Sequence, residues 1–510
     1  MNQMMNRDNI HTVVIIGGGL GGLFTGALLS LHGCHVTVLE QSHVVGGGLQ
    51  TFSRHGLTCE TGMHVLGGFQ PGGSLYRICR YLGILSEFDI RPLPATDMAR
   101  FICIGNHTEY QIPQGRERFE AYLIEQFPTE AEGIRRYVDS IFQIASQIDL
   151  FNLRQPTSTA VHEAFSIPVG QYLEQFTDNP QLLRLLAFAS SLYGGIYDQT
   201  PTYVHALINV LYINGSSMFD QSSQQLADAL ARVITSHGGQ ICCRERVTAI
   251  KAERREVQCV VAQSGREYLA DVYISSLHPT ATVALCGDGV FPRAYVNRLD
   301  SIPNSYSAFK VFYEVKADAF ELLPSPVYLL NDESRLWSLH RYDDTWPQGV
   351  ALFMTNNRIS ERGTRLLMSV SPMSFDAVRQ WEDSTTGHRP EAYRSWSQQQ
   401  TERVTALIGR HFAGFAEAVV DSFAATPLTF RDWLGAPEGN MFGYSKDAGN
   451  IMLSHLPIHT KVSNLLLTGQ NINLHGICGV PLTAIQTAEA VLGQNVVLHA
   501  IHQSESANVE

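Results

Sequence analysis

The feature that most constrains this chain is a glycine turn near its start, directly after a short apolar run. Gly17, Gly19 and Gly22 have the G-x-G-x-x-G spacing and follow the apolar residues 13–16. In a dinucleotide-binding unit these glycines permit a tight turn, close approach of backbone to a pyrophosphate, and close packing of helix on strand. The pattern therefore predicts an α/β fold that opens with a strand, a glycine turn and a helix.

The residues after the turn complete this unit. A helix is predicted over 20–31, and its N-terminus at Leu20 would direct free N–H groups at the pyrophosphate. A second strand is predicted over 34–39. Glu40 follows it, near the offset at which a carboxylate accepts hydrogen bonds from a ribose 2′-OH. An acid here disfavours a 2′-phosphate, so NADP is not expected.

A second glycine set, Gly46, Gly47 and Gly48, comes shortly after Glu40. It offers another place where backbone could pass close to phosphate. NAD dehydrogenases rarely carry such a set, whereas many flavoproteins do. We therefore expect FAD rather than NAD.

Composition limits the other classes of function. With 510 residues and 44% hydrophobic content, the chain can form a large core. Its net charge of −12 and interspersed charges give no basic surface for nucleic acid. The nine cysteines contain no C-x-x-C pair, so we expect neither a metal site nor a disulfide framework, and a reducing, cytosolic compartment. No run of eighteen apolar residues predicts a spanning helix, which leaves peripheral contact with the inner face of a membrane as the remaining kind of membrane contact.

The end of the chain carries a second glycine-rich motif. A strand is predicted over 462–467, followed by a polar turn at 469–471. Residues 475–481 then lead into a helix predicted over 482–492, with Pro481 near its first position. The positive end of that helix would favour the negative charge that develops at flavin N1 and C2=O on reduction. The polar tail from His502 is expected to be disordered.

Three stretches resemble one family. VLEQSHVVGGGLQTF, TGMHVLGG at 61–68 and LLLTGQNINLHGICGVP near the end are similar to FAD-dependent carotenoid desaturases, carotenoid isomerases and retinol saturases, which are related in fold to amine oxidases. The resemblance implies an α/β fold with a Rossmann-type FAD-binding domain and a discontinuous α+β substrate domain that includes a helical lobe. There are two departures from the wider pattern: Gly48 stands where arginine is frequent, and Asn471 stands where an acid can bond the ribityl chain.

The resemblance also implies site residues. The segment Gly62, Met63 and His64 would run beside the flavin ring, although a plain turn with an ordinary histidine hydrogen bond is an equal alternative. Lys310 invites comparison with the lysine that amine oxidases place near the flavin, whereas a single lysine on a strand is usually solvated. His475 is a further candidate for lining the flavin. The expected cofactor-binding set is Gly17, Gly19, Leu20, Gly22, Glu40, Gln41, Gly46, Gly47, Gly48, Gly62, Met63, His64, Val247, Gly469, Gln470, Asn471, Gly479, Val480 and Pro481.

The same resemblance implies a division of the chain. FAD-binding segments are expected at 1–105, 221–299 and 441–510. A helical lobe is expected at 106–220 and a substrate-domain sheet at 300–440. Plentiful aromatic residues in the lobe could form plain core or line a channel for an apolar substrate: Phe188, Tyr193, Tyr197, Tyr203, Tyr212 and Phe219.

The implied activity is hydride transfer between flavin N5 and a carbon of an apolar polyene or isoprenoid, as a desaturase, saturase or isomerase. No second G-x-G-x-x-G is present for a nicotinamide, so electrons are expected to come from or go to an external quinone, oxygen or reductase. Two alternatives remain at this point: an amine or porphyrinogen oxidase, and a non-enzymatic escort of prenylated proteins with the same fold. The intact glycine sets argue against the escort.

Overall fold

The computed structural model describes residues 12–62, 65–155, 163–354, 358–451 and 455–506. The strands are β1 (Thr12–Ile16), β2 (His35–Leu39), β3 (Thr51–Arg54), β4 (Leu57–Glu60), β5 (Leu66–Gly67), β6 (Ile90–Pro92), β7 (Ala99–Cys103), β8 (Thr108–Ile112), β9 (Ser216–Phe219), β10 (Gln240–Cys242), β11 (Val247–Glu253), β12 (Glu256–Ala262), β13 (Glu267–Tyr268), β14 (Val272–Ser275), β15 (Ser307–Lys316), β16 (Val327–Leu330), β17 (Gly349–Phe353), β18 (Thr364–Met373), β19 (Val419–Ala425) and β20 (Leu465–Leu467). The α-helices are α1 (Leu20–Leu31), α2 (Ser74–Tyr81), α3 (Arg116–Gln126), α4 (Ala131–Gln147), α5 (Val169–Leu173), α6 (Pro180–Leu186), α7 (Thr202–Asn214), α8 (Gln224–Ser236), α9 (Pro279–Cys286), α10 (Arg293–Ser301), α11 (Glu391–Gly409), α12 (Phe415–Ala418), α13 (Pro427–Leu434), α14 (Gly476–Leu492) and α15 (Val496–Ser506).

A five-stranded parallel sheet, in the order β10-β2-β1-β14-β20, takes its strands from the start, middle and end of the chain. Alternate residues of β1 pack into different cores because successive side chains point to opposite faces. Val13 and Ile15 pack with α1, α8 and α14, whereas Val14 and Ile16 pack toward β11 and β12. Both faces are therefore covered, which explains the unbroken apolar run in the sequence. The expected α/β fold with a Rossmann-type unit is confirmed.

A seven-stranded mixed sheet, in the order β19-β15-β18-β17-β16-β7-β8, forms the second large layer. Its longest strands, β15 and β18, pair antiparallel over ten residues each. β7 was expected at the end of the first FAD-binding segment, but it pairs with β16 in this sheet. The domain boundaries themselves stay predictions.

A helical lobe covers one side of this sheet. Helices α3 to α7 share a core with strands β7 and β16, in which Ile134, Tyr137, Leu185, Val204 and Leu207 are buried. All five of these helices lie within the helical lobe expected at 106–220.

Two expectations near the C-terminus were wrong. The last helix of the flavin motif begins at Gly476 rather than 482, so Pro481 lies inside α14 and removes one amide that would otherwise bond within the helix. The tail from His502, expected to be disordered, is helical to Ser506 because Val497, Leu498 and Ile501 are buried. Arg77 also pairs with Glu505 at 2.5 Å.

Within the described part of the chain, no single helix has the length and apolar character needed to cross a membrane. Helices α14 and α15 meet those criteria only when taken together, and they are bent by 113° at the break between them.

Candidate cofactor and substrate site

The first glycine turn joins β1 to α1, and its backbone is closely packed. Gly17 has a φ of +98°, a conformation that disfavours any side chain. A Cβ at Gly22 would overlap the carbonyl oxygen of Gly17 and lie 3.2 Å from Ile15 Cγ2. A Cβ at Gly19, in contrast, would meet no atom within 4 Å. The first turn of α1 is thus closed toward β1 and open on the side where Gly19 lies.

Glu40 holds the neighbouring loops in place. Its carboxylate is buried and accepts hydrogen bonds from the amides of Gly18 and Ser42, each at 2.8 Å. Bonds of this kind to a charged acceptor are among the stronger ones in proteins. Glu40 therefore orders the turn itself, and it also lines the central cavity together with Gln41.

The second glycine set packs directly on the first. The amide of Gly46 donates to the carbonyl of Gly18 at 2.7 Å, and a Cβ at Gly47 would lie 3.1 Å from Gly19 Cα. The amide of Gly62 donates to the Gly48 carbonyl at 3.0 Å. These contacts bring the first glycine turn, the glycines at 46–48 and Gly62 onto one wall of the cavity. Met63 and His64 lie outside the described residues, so their expected place beside the flavin stays a prediction.

The two ends of the chain meet at this wall. A Cβ at Gly21 would lie 2.8 Å from Gly469 Cα and 3.5 Å from Val480 Cγ1. Thr25 and Thr468 share a buried hydrogen bond of 3.0 Å between their hydroxyls. The close approach leaves no room for a side chain at Gly21, and Gly469 has a φ of +96°, which disfavours any side chain.

The C-terminal motif presents the start of α14 to the cavity. His475 is the N-cap residue and makes no side-chain capping bond, while Gly479, Val480 and Pro481 lie in the first turns of the helix. His475 is 7% exposed, and its Nε2 has no hydrogen-bond partner among the described residues. Burial, aided by the charge of Lys446, lowers the pKa of His475 to about 3, so its imidazole is neutral.

The polar turn before α14 is only partly available to a ligand. Asn471 is buried, and its side-chain oxygen accepts a hydrogen bond from the amide of Tyr444 at 3.1 Å. In the resembling family, an acid at this position can bond the ribityl chain. The asparagine thus fixes the adjacent loop, although both it and Gln470 line the cavity.

One cavity of about 810 Å³ connects all these parts. At one end it is bordered by Glu40, Arg246 and Val247, the last being the position expected to hold the adenine through its backbone. It passes the glycine wall and the start of α14 and then continues between the helical lobe and the seven-stranded sheet. That far part, which we call the chamber, is lined mainly by Phe101, Phe188, Leu192, Leu207, Ile208, Leu211, Tyr212, Tyr328, Leu330, Leu336, Leu339, Val350, Ala351, Phe353 and Val370.

Lys310 borders the cavity and is not solvated. It is 1% exposed, and its Nζ donates to the carbonyls of Glu60 at 2.5 Å and Thr61 at 3.2 Å. Its neighbour Phe309 packs into the core on the opposite face of β15. Burial lowers the pKa of Lys310 to about 7, against the opposing effect of Glu60.

Sequence reasoning identified only part of the chamber. Of the aromatic residues singled out in the lobe, Phe188 and Tyr212 line the cavity, whereas the others in that group do not. Tyr328 and Phe353 were missed, because they lie on short strands without any motif. Alternating apolar and aromatic residues could have indicated the strands, but not the face that borders a cavity.

The residues present fit FAD. The open face at Gly19 and the uncapped starts of α1 and α14 offer free N–H groups and positive dipole ends to phosphate and to reduced flavin. The buried Nε2 of His475 lacks a partner on the same cavity wall. Glu40 and Val247 border the end where a ribose and an adenine would lie, and residues 469–480 border the part where the ring would lie.

Comparison with known proteins agrees with this geometry. The profile of a family described as "flavin containing amine oxidoreductase" matches residues 20–395. All-trans-retinol 13,14-reductase of Homo sapiens is 24% identical over 526 residues, covering 95% of this chain and 86% of that protein. Prolycopene isomerase 2, chloroplastic, of an Oncidium hybrid cultivar is 23% identical over 465 residues, covering 84% and 74%. The solved structure of a putrescine oxidase bound to putrescine has a TM-score of 0.64 at 14% identity, covering 94% and 99%.

Proposed function

Because this chain belongs to the flavin-containing amine oxidoreductase family and is an FAD-dependent oxidoreductase, we propose that it transfers hydride to or from a carbon of an uncharged, apolar polyene or isoprenoid. Desaturation, saturation and isomerisation of carbon–carbon double bonds all belong to this class. The relatives named above as a retinol reductase and a carotenoid isomerase support the substrate class.

The observation that carries the proposal is the chemical character of the chamber. Among the described residues that line the whole cavity, the charged side chains are Glu40 and Arg246 at the nucleotide end and Lys310. No described carboxylate faces the chamber. A cationic amine entering it would lose its hydration without gaining a counter-ion, which is costly in an apolar site. An uncharged hydrocarbon chain would be stabilised there by burial.

Lys310 makes an amine substrate still less favourable. Its Nζ lies in the cavity wall and, when protonated, would repel a second cation across an apolar space. The family name therefore favours the amine or porphyrinogen oxidase alternative, but the apolar lining of the chamber and the charge of Lys310 do not. The escort alternative is set aside because the chain is an enzyme.

The chain's own contribution is binding, orientation and exclusion of water. When bound, FAD supplies the hydride chemistry itself. We propose that Gly17, Gly19, Leu20, Gly22 and the set at 46–48 hold the diphosphate, and that Glu40 and Gln41 face the ribose. Val247 would contact the adenine through its backbone. Gly62, His475 and residues 469–481 would border the flavin, with Met63 and His64 beside them.

A redox partner is required to complete the cycle. We propose a quinone, oxygen or a separate reductase, because the sequence contains no second G-x-G-x-x-G for a nicotinamide. The five segments given above, with FAD-binding parts at 1–105, 221–299 and 441–510, are likewise proposed as the domain division.

The test is to reduce the purified holoprotein without oxygen and to mix it with carotenoids, retinoids, quinones and amines. Flavin reoxidation by a polyene or a quinone would support the proposal, as would polyene-dependent reduction of the oxidised enzyme. Hydrogen peroxide production with amines, and no flavin response to any polyene, would refute it.

A further inference from the structure

Two phenol hydroxyls without a partner in the described part of the protein belong to residues that line the chamber, Tyr212 and Tyr328. Most buried tyrosine hydroxyls have a partner inside the protein, as in Tyr137 with His205 at 2.9 Å, Tyr172 with Ser140 at 2.8 Å and Tyr313 with Thr405 at 3.0 Å. The hydroxyls of Tyr212 and Tyr328 make no hydrogen bond to any described residue. Both residues line the cavity.

The rings of these two residues are fixed by their surroundings. Tyr328 lies on β16, is 7% exposed, and packs edge-on against Phe188 and Phe353 at centroid distances of 5.9 and 6.3 Å. Tyr212 lies near the end of α7, is partly buried, and packs against two core clusters. The ring packing therefore holds both residues at the chamber wall.

The rings of Tyr212 and Tyr328 pack in one core cluster, and Leu211, the residue before Tyr212, lies with Cys478 beside Gly68, near the start of α14. The charge of Tyr212 contributes to raising the pKa of Tyr328, and the charge of Cys478 contributes to raising the pKa of Tyr212. Cys478 lies in the first turn of α14, where its thiol donates to the Gly67 carbonyl at 2.7 Å. The pair thus occupies the part of the chamber next to the expected flavin ring. Burial raises both pKa values, so both phenols stay protonated and can donate.

A hydroxyl that faces an apolar cavity and has no partner in the protein can donate to a ligand oxygen placed beside it, and such a bond stabilises the bound ligand. We propose that Tyr212 and Tyr328 are specificity-determining residues whose hydroxyls bind one uncharged oxygen, a hydroxyl or carbonyl, on an otherwise apolar substrate. This inference rests on the proposed function and narrows it. The substrate would then be an oxygenated polyene or isoprenoid rather than a pure hydrocarbon.

The experiment compares two probes on the FAD-loaded protein without oxygen: all-trans-retinol, and the hydrocarbon in which a methyl group replaces its CH2OH group. Equilibrium binding is followed by quenching of protein fluorescence. Wild type is expected to bind the alcohol more tightly. Each of Tyr212→Phe and Tyr328→Phe should reduce that preference by about twofold to tenfold, as expected for one neutral hydrogen bond, with little change in affinity for the hydrocarbon.

Tyr172→Phe is the matched control, because its hydroxyl bonds within the helical lobe, to Ser140. It should keep the preference but lose some stability, whereas Tyr328→Phe should not lower the thermal midpoint of the substrate-free protein. Flavin absorbance shows that each variant retains its cofactor.

The outcomes separate this inference from the function on which it rests. If wild type binds both probes equally, or if the double variant Tyr212→Phe/Tyr328→Phe keeps the preference, the two hydroxyls do not bind substrate, while the polyene class stands. If wild-type holoprotein binds neither probe and no other polyene changes its flavin, the proposed function fails and this inference fails with it.

Discussion

Replacing Gly22 by alanine should lower the stability of the protein, whereas replacing Gly19 by alanine should weaken FAD binding. At Gly22 the added Cβ would overlap the Gly17 carbonyl oxygen, so α1 must move off β1. Overpacking of this severity costs about 3 kcal/mol, and the better helix propensity of alanine returns about 1 kcal/mol. The net loss of about 2 kcal/mol falls on the protein with or without cofactor.

At Gly19 the same change meets no atom within 4 Å, and the φ of −77° is ordinary for alanine. We expect the stability of the apoprotein to change by no more than about 0.5 kcal/mol, because loss of unfolded-state entropy offsets the weaker N-cap. The Cβ would, however, stand on the open side of the turn. Losing a charge-assisted bond to phosphate costs about 1.5–3 kcal/mol, which is about tenfold to a hundredfold in FAD affinity.

The assay measures thermal unfolding of the apoprotein and FAD binding by flavin fluorescence for each variant. Gly22→Ala should lower the apoprotein midpoint by a few degrees, and Gly19→Ala should leave it unchanged while weakening FAD binding. If Gly19→Ala binds FAD as tightly as wild type, the open face does not receive the diphosphate. If the Gly22→Ala apoprotein has the same thermal midpoint as the wild-type apoprotein, the packing argument is refuted.

Three further predictions follow from particular side chains. Glu40→Ala should weaken FAD binding by at least about tenfold and destabilise the apoprotein, since the Gly18 and Ser42 amides lose a charged acceptor; Glu256→Ala, an exposed residue on β12, should do neither. Burial lowers the pKa of Lys310 to about 7, so between pH 7 and 10.5 the unfolded chain binds a proton that the folded protein does not. The free energy of unfolding, measured with denaturant, should therefore rise with pH across that range by more in wild type than in Lys310→Met. An equal rise in the two proteins would contradict the lowered pKa of Lys310. Ala351→Trp should fill the chamber beside Tyr328, abolishing polyene-induced flavin changes while flavin absorbance stays at the wild-type level; unchanged polyene binding would place the substrate elsewhere.

The sequence was most informative where structure is decided by neighbours along the chain. The helix over 20–31 and the strand before it were predicted with their ends almost unchanged, because apolar spacing, the glycine turn and the following acid act within one short unit. The start of α14 was misplaced because the rule that favours proline in the first turn of a helix was applied to Pro481. Helix packing against the sheet tolerates the missing bond.

Burial decided by distant neighbours was not predictable. Lys310 is one polar residue on an apolar strand, and only the approach of residues 60–61 supplies the carbonyls that bond its Nζ. The contact of Gly21 with Gly469 joins opposite ends of the chain, and the spacing within each motif carries no information about it. The helix at 496–506 depends in the same way on α2, which supplies Arg77 for its ion pair with Glu505.

We expect cofactor binding and substrate choice to depend on different parts of the chain. The glycine motifs that are recognisable in sequence border the part of the cavity that we propose for the cofactor. The chamber wall is built from strands β7, β16 and β17 and from α7, where the sequence constraint is only to be apolar. A residue such as Tyr328 can exchange a hydroxyl for a hydrogen without disturbing the pairing of β16 with β7 and β17, because its ring packing would persist. Selection among substrates can therefore change by single substitutions in the chamber while the glycine motifs, and the redox chemistry they support, remain the same.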